Sequence, residues 1–290
     1  MQRQQYVFED GSIYQGQWLN NKQNGEGKQV YPDGSTYEGY WSNGMKNGKG
    51  IYQYSDGSQY FGMWKDDQKH GQGKYKYKDG SYYDGQWQSN AQQGQGKFVN
   101  TDNSQYEGQW LNGKKHGVGR YYYLDGSVYE GKWENGQKNG LGKMQYKNGS
   151  FYKGMWKNDQ KNGKGFYKQQ DRSCYEGEWL NNKQNGVGKQ TYQDGSIYEG
   201  EWYNAQKNGN GKYKYPDGSY YSGQWKDGLK HGFGKYKFTD GSSYEGEWEN
   251  NQQHGQGIFI QQGVYKKGIW IDGILTDIIS CDKSRNSIEI

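Results

Sequence analysis

Thr36-Tyr37-Glu38-Gly39-Tyr40-Trp41 and, six residues on, Gly48-Lys49-Gly50-Ile51-Tyr52-Gln53-Tyr54 set rings and glycines against polar side chains. In an extended strand successive side chains take opposite faces, so Tyr37, Gly39 and Trp41 share one face while Glu38 and Tyr40 take the other. The second segment gathers Gly48, Gly50, Tyr52 and Tyr54 on a common face. The apolar side of this pair of strands is therefore aromatic rings plus glycine. A glycine inside a strand normally weakens a sheet; paired glycines here read as clearance for a neighbouring Trp or Tyr ring to lie against backbone.

The same pattern runs through the chain with a step of 23 residues. Tryptophans stand at Trp18, Trp41, Trp64, Trp87, Trp110, Trp133, Trp156, Trp179, Trp202, Trp225 and Trp248, and Trp270 follows after 22 residues in the shifted form Tyr265-x-x-Gly268-x-Trp270. These are all the tryptophans, and they are expected to form the structural core. A Gly-x-Gly follows each of the first eleven, from Gly25-x-Gly27 to Gly255-x-Gly257. Such regularity marks a repeat array whose members pack mainly on their neighbours. Abundant Gln, Asn, Gly and Tyr also describe disordered segments, but disorder has no reason to keep Trp, Gly-x-Gly and Asp-Gly-Ser in register. Between repeats, Tyr31-Pro32-Asp33-Gly34-Ser35 and Tyr215-Pro216-Asp217-Gly218-Ser219 are turn sequences. Asn103 and Arg172 replace the turn glycine in two repeats. Asn tolerates the left-handed region, whereas Arg172 predicts a turn of another type after Gln170.

Composition agrees. The chain has 290 residues with 49 Gly, 31 Tyr and 12 Trp, but a hydrophobic fraction of 30% and two prolines. With a mean hydropathy of −1.41, a thick aliphatic core cannot be built, so doubly wound sheets and TIM barrels are excluded and aromatics must supply most of the buried area. The expected fold is all-β: an elongated single-layer antiparallel β-sheet array of stacked 23-residue hairpins, on the order of 100 Å long at about 4.8 Å per strand, and twisted or curved. Residues 1–13 form an N-terminal half-hairpin, 14–266 eleven repeats, and 267–290 a degenerate final strand, C-terminal cap and polar tail. The densest aliphatic run, Ile271-Asp272-Gly273-Ile274-Leu275-Thr276-Asp277-Ile278-Ile279, reads either as a cap over the last aromatic layer or as a docking segment. On the wet face, a column with Glu38, Asp84, Glu107, Glu130, Glu176, Glu199 and Glu245 stands beside one with Lys28, Lys74, Lys97, Arg120, Lys143, Lys189, Lys212 and Lys235. They predict cross-strand charge ladders.

Tyr37-Glu38-Gly39-Tyr40-Trp41 with Gly48-Lys49-Gly50, Tyr106-Glu107-Gly108-Gln109-Trp110 with His116-Gly117-Val118-Gly119, and Tyr244-Glu245-Gly246-Glu247-Trp248 with His254-Gly255-Gln256-Gly257 closely resemble the MORN (membrane occupation and recognition nexus) repeat. The resemblance covers about residues 6–270. It implies elongated single-sheet arrays serving as scaffolds, linkers and dimerisation modules. Such repeats occur in junctional membrane proteins, plant phosphatidylinositol phosphate kinases, apicomplexan and trypanosome cytoskeletal proteins, and radial spoke heads of cilia and flagella. The departures are Asn103 and Arg172 in the turn, Phe61 and Lys153 in place of the usual Glu, and the shifted Tyr265 repeat.

Few residues suggest chemistry. His70, His116, His231 and His254 each precede a Gly-x-Gly in a column otherwise filled by Asn or Gln, a repeated feature rather than a metal or acid–base cluster. Acidic residues recur as columns or turn caps instead of a convergent pair. The Gly-x-Gly pairs lack the helix and Gly-Lys-Ser/Thr of a phosphate loop. Cys174 and Cys281 form no metal or disulfide pattern. No catalytic, cofactor or metal site is expected, and no enzyme. The charge of +5, from 37 basic and 32 acidic residues, is too small and too spread for a nucleic-acid binder.

The column of Lys46, Lys69, Lys115, Lys138, Lys161, Lys207 and Lys230 is read as a loop edge with ammonium groups about 10 Å apart, either merely solvated or able to meet an anionic surface. Two functions follow. One is a structural scaffold or spacer mediating protein–protein interaction in a multi-subunit cytoskeletal assembly, with the resemblance pointing to a cilium, its axoneme and a radial-spoke-like role, and allowing a homodimer. Its specificity would lie in exposed residues that vary between repeats, such as Phe61, Met63, Met155 and Tyr203. The other is a peripheral tether binding anionic phospholipid weakly through the lysine edge. Without an 18-residue apolar stretch or a signal core at Met1–Gln5, a cytoplasmic location is expected.

Overall fold

The computed structural model describes residues 5–283. It is all-β, and no helix occurs among the described residues. The strands fall into two compact bodies divided after Lys147. The first holds β1 (Gln5–Val7), β2 (Ile13–Leu19), β3 (Lys22–Val30), β4 (Thr36–Ser42), β5 (Met45–Gln53), β6 (Gln59–Lys65), β7 (Gln68–Lys76), β8 (Tyr82–Gln88), β9 (Ala91–Val99), β10 (Gln105–Leu111), β11 (Lys114–Tyr122), β12 (Val128–Glu134) and β13 (Gln137–Gln145). The second holds β14 (Phe151–Lys157), β15 (Gln160–Lys168), β16 (Cys174–Leu180), β17 (Lys183–Thr191), β18 (Ile197–Tyr203), β19 (Gln206–Lys214), β20 (Tyr220–Lys226), β21 (Leu229–Lys237), β22 (Ser243–Glu249), β23 (Gln252–Gln261), β24 (Val264–Ile271) and β25 (Ile274–Lys283). Within each body every strand pairs antiparallel with the next in sequence, giving a single-layer meander of stacked hairpins.

Two kinds of turn set the register. Inside a hairpin the loop is two residues long, as at Asn43-Gly44 (φ 50° and 87°). Two consecutive positive φ values make a mirror-image turn whose twist matches that of the strands. Between hairpins, Asp33 Oδ1 accepts from the Ser35 amide at 2.9 Å and the Ser35 hydroxyl at 2.7 Å, while Gly34 at φ 84° donates to Tyr31 O at 3.0 Å. The expectation of a different turn at Arg172 is wrong. Arg172 takes φ 72° and donates to Gln169 O at 3.2 Å, and Asp171 Oδ1 holds the Ser173 amide at 2.9 Å. The Asp–Ser clamp and the flanking ladder override the residue's preference. Arg172→Gly is therefore expected to stabilise the protein by about 1 kcal/mol through relief of this strain, seen as a higher urea midpoint with unchanged slope.

The core is a layer of rings. Tyr14, Tyr37, Tyr60, Tyr83, Tyr106 and Tyr129 in the first body, and Tyr152, Tyr175, Tyr198, Tyr221 and Tyr244 in the second, are at most 1% exposed. Each lies over the glycine pair of its own hairpin: a Cβ added to Gly50 would strike the Tyr37 ring, and one added to Gly39 would strike the Gly50 backbone. The Tyr37 hydroxyl then donates to Tyr40 O at 2.9 Å. The tryptophans do a different job. Trp41 meets Tyr37 edge-on at 5.0 Å and Tyr14 of the preceding hairpin at 5.5 Å, and its indole N–H donates to Gly27 O of that hairpin at 3.3 Å. Tyrosine closes each hairpin, and tryptophan packs it edge-on against the tyrosine of the one before, as Trp64 does on Tyr37 at 5.5 Å. Trp133→Ala, which removes such a link to Tyr106 and Gly119, is expected to cost roughly 3–5 kcal/mol, read from denaturant melts.

Trp18 corrects the expectation that all twelve tryptophans are core. It is 40% exposed, against at most 7% for Trp41, Trp64, Trp87, Trp110, Trp133, Trp156, Trp179, Trp202, Trp225, Trp248 and Trp270. Among the described residues the short β1 precedes it, and Tyr6 and Phe8 lie against its ring at 5.3 and 6.3 Å. The half-hairpin read at residues 1–13 is β1, whose Tyr6 faces Tyr14 as Tyr52 faces Tyr60; residues 1–4 lie outside the described part. At the other end the aliphatic run becomes β25. Leu275 pairs with Trp270 and packs where a Cβ on Gly268 would be, while Ile271, Ile274, Ile278 and Ile279 stay exposed. The polar tail, residues 284–290, lies outside the described part.

Candidate interaction surfaces

The ring face of each body carries a second layer above the buried tyrosines, and the lysine column belongs to it. Lys46, Lys69, Lys115, Lys138, Lys161, Lys207 and Lys230 sit second in β5, β7, β11, β13, β15, β19 and β21. They are not on a solvated loop edge. Lys46 pairs with Trp41 across the hairpin and turns its ammonium inward, 4.9 Å from the Tyr52 ring centre and 5.1 Å from that of Trp64. Lys69 lies 4.4 and 4.9 Å from Tyr75 and Trp87, Lys207 4.7 and 4.2 Å from Tyr213 and Trp225. Lys115, Lys161 and Lys230 repeat the arrangement on Tyr121, Tyr167 and Tyr236, and Lys138 reaches Tyr129 at 5.6 Å. Ring faces attract the cation. Burial acts against it, pulling the pKa of Lys69, Lys161 and Lys230 down to about 8 and lowering those of Lys46 and Lys207.

A covariation between repeats explains the column, and it was open to view in the sequence. Six residues after the lysine comes Tyr52, Tyr75, Tyr121, Tyr167, Tyr213 or Tyr236, with Met144 the exception after Lys138. Where the column holds Gln23, Gln92, Gln184 or Gln253, that place is Gln29, Phe98, Gln190 or Phe259. Gln23 Nε2 donates to Gln29 Oε1 at 2.8 Å, and Gln184 Nε2 to Gln190 Oε1 at 3.2 Å. Lysine thus goes with a phenol ring and glutamine with a partner that is not one.

The opposite face is polar and laddered. Ion pairs join Lys28 to Glu38 at 3.5 Å, Lys97 to Glu107 at 2.8 Å and Arg120 to Glu130 at 2.7 Å in the first body, and Lys189 to Glu199 at 4.0 Å and Lys235 to Glu245 at 3.0 Å in the second. Half-exposed pairs of this kind contribute little stability each. Of the variable residues, Met155 and Tyr203 are exposed in the second body. In the first, Met63 is exposed, and Phe61 stands with Tyr40 and Ile51 around a cleft of about 590 Å³ floored by Gly27, Gly39 and Gly50.

The histidines are spread over β7, β11, β21 and β23, and His254 Nε2 lies 3.5 Å from Glu249 Oε2. Among the described residues no group of three or more His, Cys, Asp or Glu could hold a metal ion. Cys174 and Cys281 are free thiols. No described helix is long and apolar enough to cross a membrane.

A family model described as the MORN repeat matches eleven consecutive segments, from residues 14–36 to 244–261. The comparison with curated proteins finds no match. Among solved structures, the SAS-4 (dCPAP) TCP domain of Drosophila melanogaster, in complex with a proline-rich motif of Ana2 (dSTIL), is 13% identical, covering 61% of this chain and 89% of that one at a TM-score of 0.34. A mutant TCP10 domain of Danio rerio CPAP is 11% identical over 84% and 93% of the two chains, with a TM-score of 0.22. Virginiamycin B lyase of Staphylococcus aureus is 10% identical over 93% and 85%, with a TM-score of 0.15. Likeness at these scores carries no functional weight.

Proposed function

Because the chain belongs to the MORN repeat family, we propose that it is a non-catalytic scaffold or spacer that binds other proteins within a cytoskeletal assembly, in the cytoplasm and at the axoneme of a cilium. The observation that supports this reading is the division of labour within each repeat. The buried tyrosines and tryptophans and the paired glycines are consumed in locking hairpins to one another, which leaves the polar face as a grid whose exposed side chains, such as Phe61, Met63, Met155 and Tyr203, vary from repeat to repeat. Such a grid suits a partner-holding surface. The axonemal, radial-spoke-like placement draws on the resemblance to spoke-head repeats.

Tagged full-length chain recovered in a detergent-resistant axonemal fraction, with proximity labelling of spoke components, is the expected result. Recovery as a freely soluble protein with no reproducible neighbours would overturn it.

The membrane-tether reading draws on the family name and the lysine column, but the ammonium groups are engaged over rings. Replacing Lys46, Lys69, Lys115 and Lys138 by Gln, the residue four repeats already carry, is expected to leave flotation with acidic liposomes unchanged. Salt-sensitive flotation abolished by those changes would favour the tether.

A further inference from the structure

We infer that the cavity beside Trp202, on the ring face of the second body, receives a lysine side chain from a partner protein. The inference deepens the scaffold reading by naming the chemistry of a partner, and rests on that reading only in taking the lysine to belong to a protein.

Four departures from the repeat meet at this cavity. Gln184 stands in the lysine column, and Gln190 in the place of the phenol six residues on. Gln169 stands in the column of Tyr31, Tyr54 and Tyr192, and Ala205 where other turns carry Gly, Asn or Asp. All four line a space of about 540 Å³ together with Trp202, Tyr192, Asp171 and Asp194, within the range of roughly 300–1,000 Å³ usual for ligand sites. The glutamine pair of β3 shows what the added departures do. There Gln23 Nε2 meets Gln29 Oε1 at 2.8 Å, Gln29 Nε2 goes on to Ser12 Oγ at 3.1 Å, and Phe8 holds the place of Gln169. In β17 the bond between the glutamines lengthens to 3.2 Å, and Gln190 Nε2 turns aside to Thr191 O at 3.1 Å.

The chain itself shows what this place holds in neighbouring repeats. Lys161, Lys207 and Lys230 set their ammonium groups 4.9, 4.2 and 4.6 Å from the ring centres of Trp179, Trp225 and Trp248. Each of these tryptophans follows its lysine by 18 residues, as Trp202 follows Gln184. A glutamine ends one bond short of the lysine nitrogen and carries no charge, so Gln184 cannot supply the cation that a ring face attracts. Tyr167 and Tyr213 lie beside Trp179 and Trp225 at 6.2 and 6.1 Å. At Trp202 their counterpart is Gln190, whose amide takes the place of that ring.

Charge selects the same occupant. Among the described residues lining the cavity there is no Lys, Arg or His, and there are two carboxylates. Hydrogen bonds from the hydroxyl and amide of Ser173 and of Ser196 hold Asp171 and Asp194 below the usual carboxylate range, so both are ionised at neutral pH. In the first body Asp67 stands 3.8 Å from the Lys46 ammonium in the same company of rings. An anionic occupant would meet two like charges, and an apolar one would cover the glutamine amides without bonding them.

The test is a titration of the full chain at low ionic strength with Nα-acetyl-lysine amide, read from the tryptophan indole N–H resonances, with Nα-acetyl-norleucine amide as the uncharged match. The Trp202 resonance is identified by its loss in Trp202→Phe. Gln184→Lys with Gln190→Tyr restores the pattern of Lys207 and Tyr213, and so keeps the fold while filling the place from within. Asp171→Asn with Asp194→Asn keeps the turns, since Asn148 Oδ1 holds the Ser150 amide and hydroxyl at 3.0 and 2.6 Å in the same way. Expected are a saturable shift of the Trp202 resonance with the lysine amide and none with the norleucine amide. Binding should vanish in the first double variant and weaken about threefold or more in the second, with melting of both retained. No saturable shift, an equal response to the norleucine amide, or binding that survives both double variants unchanged would overturn the proposal. The scaffold reading would then still stand or fall on axonemal recovery.

Discussion

Gly108→Ala is expected to cost more than about 4 kcal/mol, enough to unfold most of the first body. A Cβ at Gly108 would lie 2.7 Å from Val118 O, 2.6 Å from the Tyr106 hydroxyl, and closer still to the Gly119 Cα. Two of these three are backbone atoms of the paired strand, and Tyr106 is fully buried with its hydroxyl committed to Gln109 O at 2.9 Å. Nothing there can yield without parting β10 from β11. Gly126→Ala is the matched control. It sits at φ 88° with open space around it, so it should cost only the left-handed strain of roughly 1–2 kcal/mol. Urea melts of the two variants separate steric closure from backbone conformation. Similar midpoints would show that the ring does not depend on a bare backbone beneath it.

Stability should collapse between pH 10 and 11. Burial pushes the phenols of Tyr37, Tyr60, Tyr83 and Tyr106 in the first body well above their ordinary value, and that of Tyr244 in the second up to about 12. A raised pKa stabilises the folded form fully below the unfolded value near 10. Above it only the unfolded chain sheds protons, and stability falls by about 1.4 kcal/mol per tyrosine per pH unit. Four such groups take roughly 5 kcal/mol from the first body over one unit. Lys69, Lys161 and Lys230 act with the opposite sign, since their pKa near 8 lies below that of an unfolded lysine. Their contribution rises from pH 8 to about 10. Melting temperature should therefore hold or climb slightly to pH 10 and then drop steeply, with phenolate absorbance appearing together with unfolding. Phenolate formation in a chain that keeps its strand signal would contradict this.

The array was legible in the sequence because its cause is periodic: a ring needs a bare backbone beside it, and both recur at the same step. The finer geometry was hidden by loop boundaries. The two-residue turn at Asn43-Gly44 starts β5 at Met45, which draws Lys46 out of the supposed loop and sets it opposite Trp41. Asn-Gly between strands signals that turn, and reading it would have put the lysines on the ring face. The sockets were foreseen, but not that each is filled from within its own hairpin. Arg172 misled because local preference was weighed without the Asp171–Ser173 clamp. Of the variable residues, Phe61 and Met63 were visible one by one, whereas the meeting of Phe61 with Tyr40 and Ile51 needed cross-strand register.

Since each tyrosine is seated by its own hairpin and each tryptophan leans on the one before, the protein's extent can change only in whole steps. Excising residues 106–128, one matched segment, would bring Trp133 against Tyr83, which already receives Trp110 at 5.1 Å as Tyr106 receives Trp133 at 5.2 Å. The joint would close without a gap. Duplication or loss of one 23-residue segment therefore offers evolution a gauge with fixed graduations, while an insertion of any other size must be tolerated as a bulging loop or break the stack.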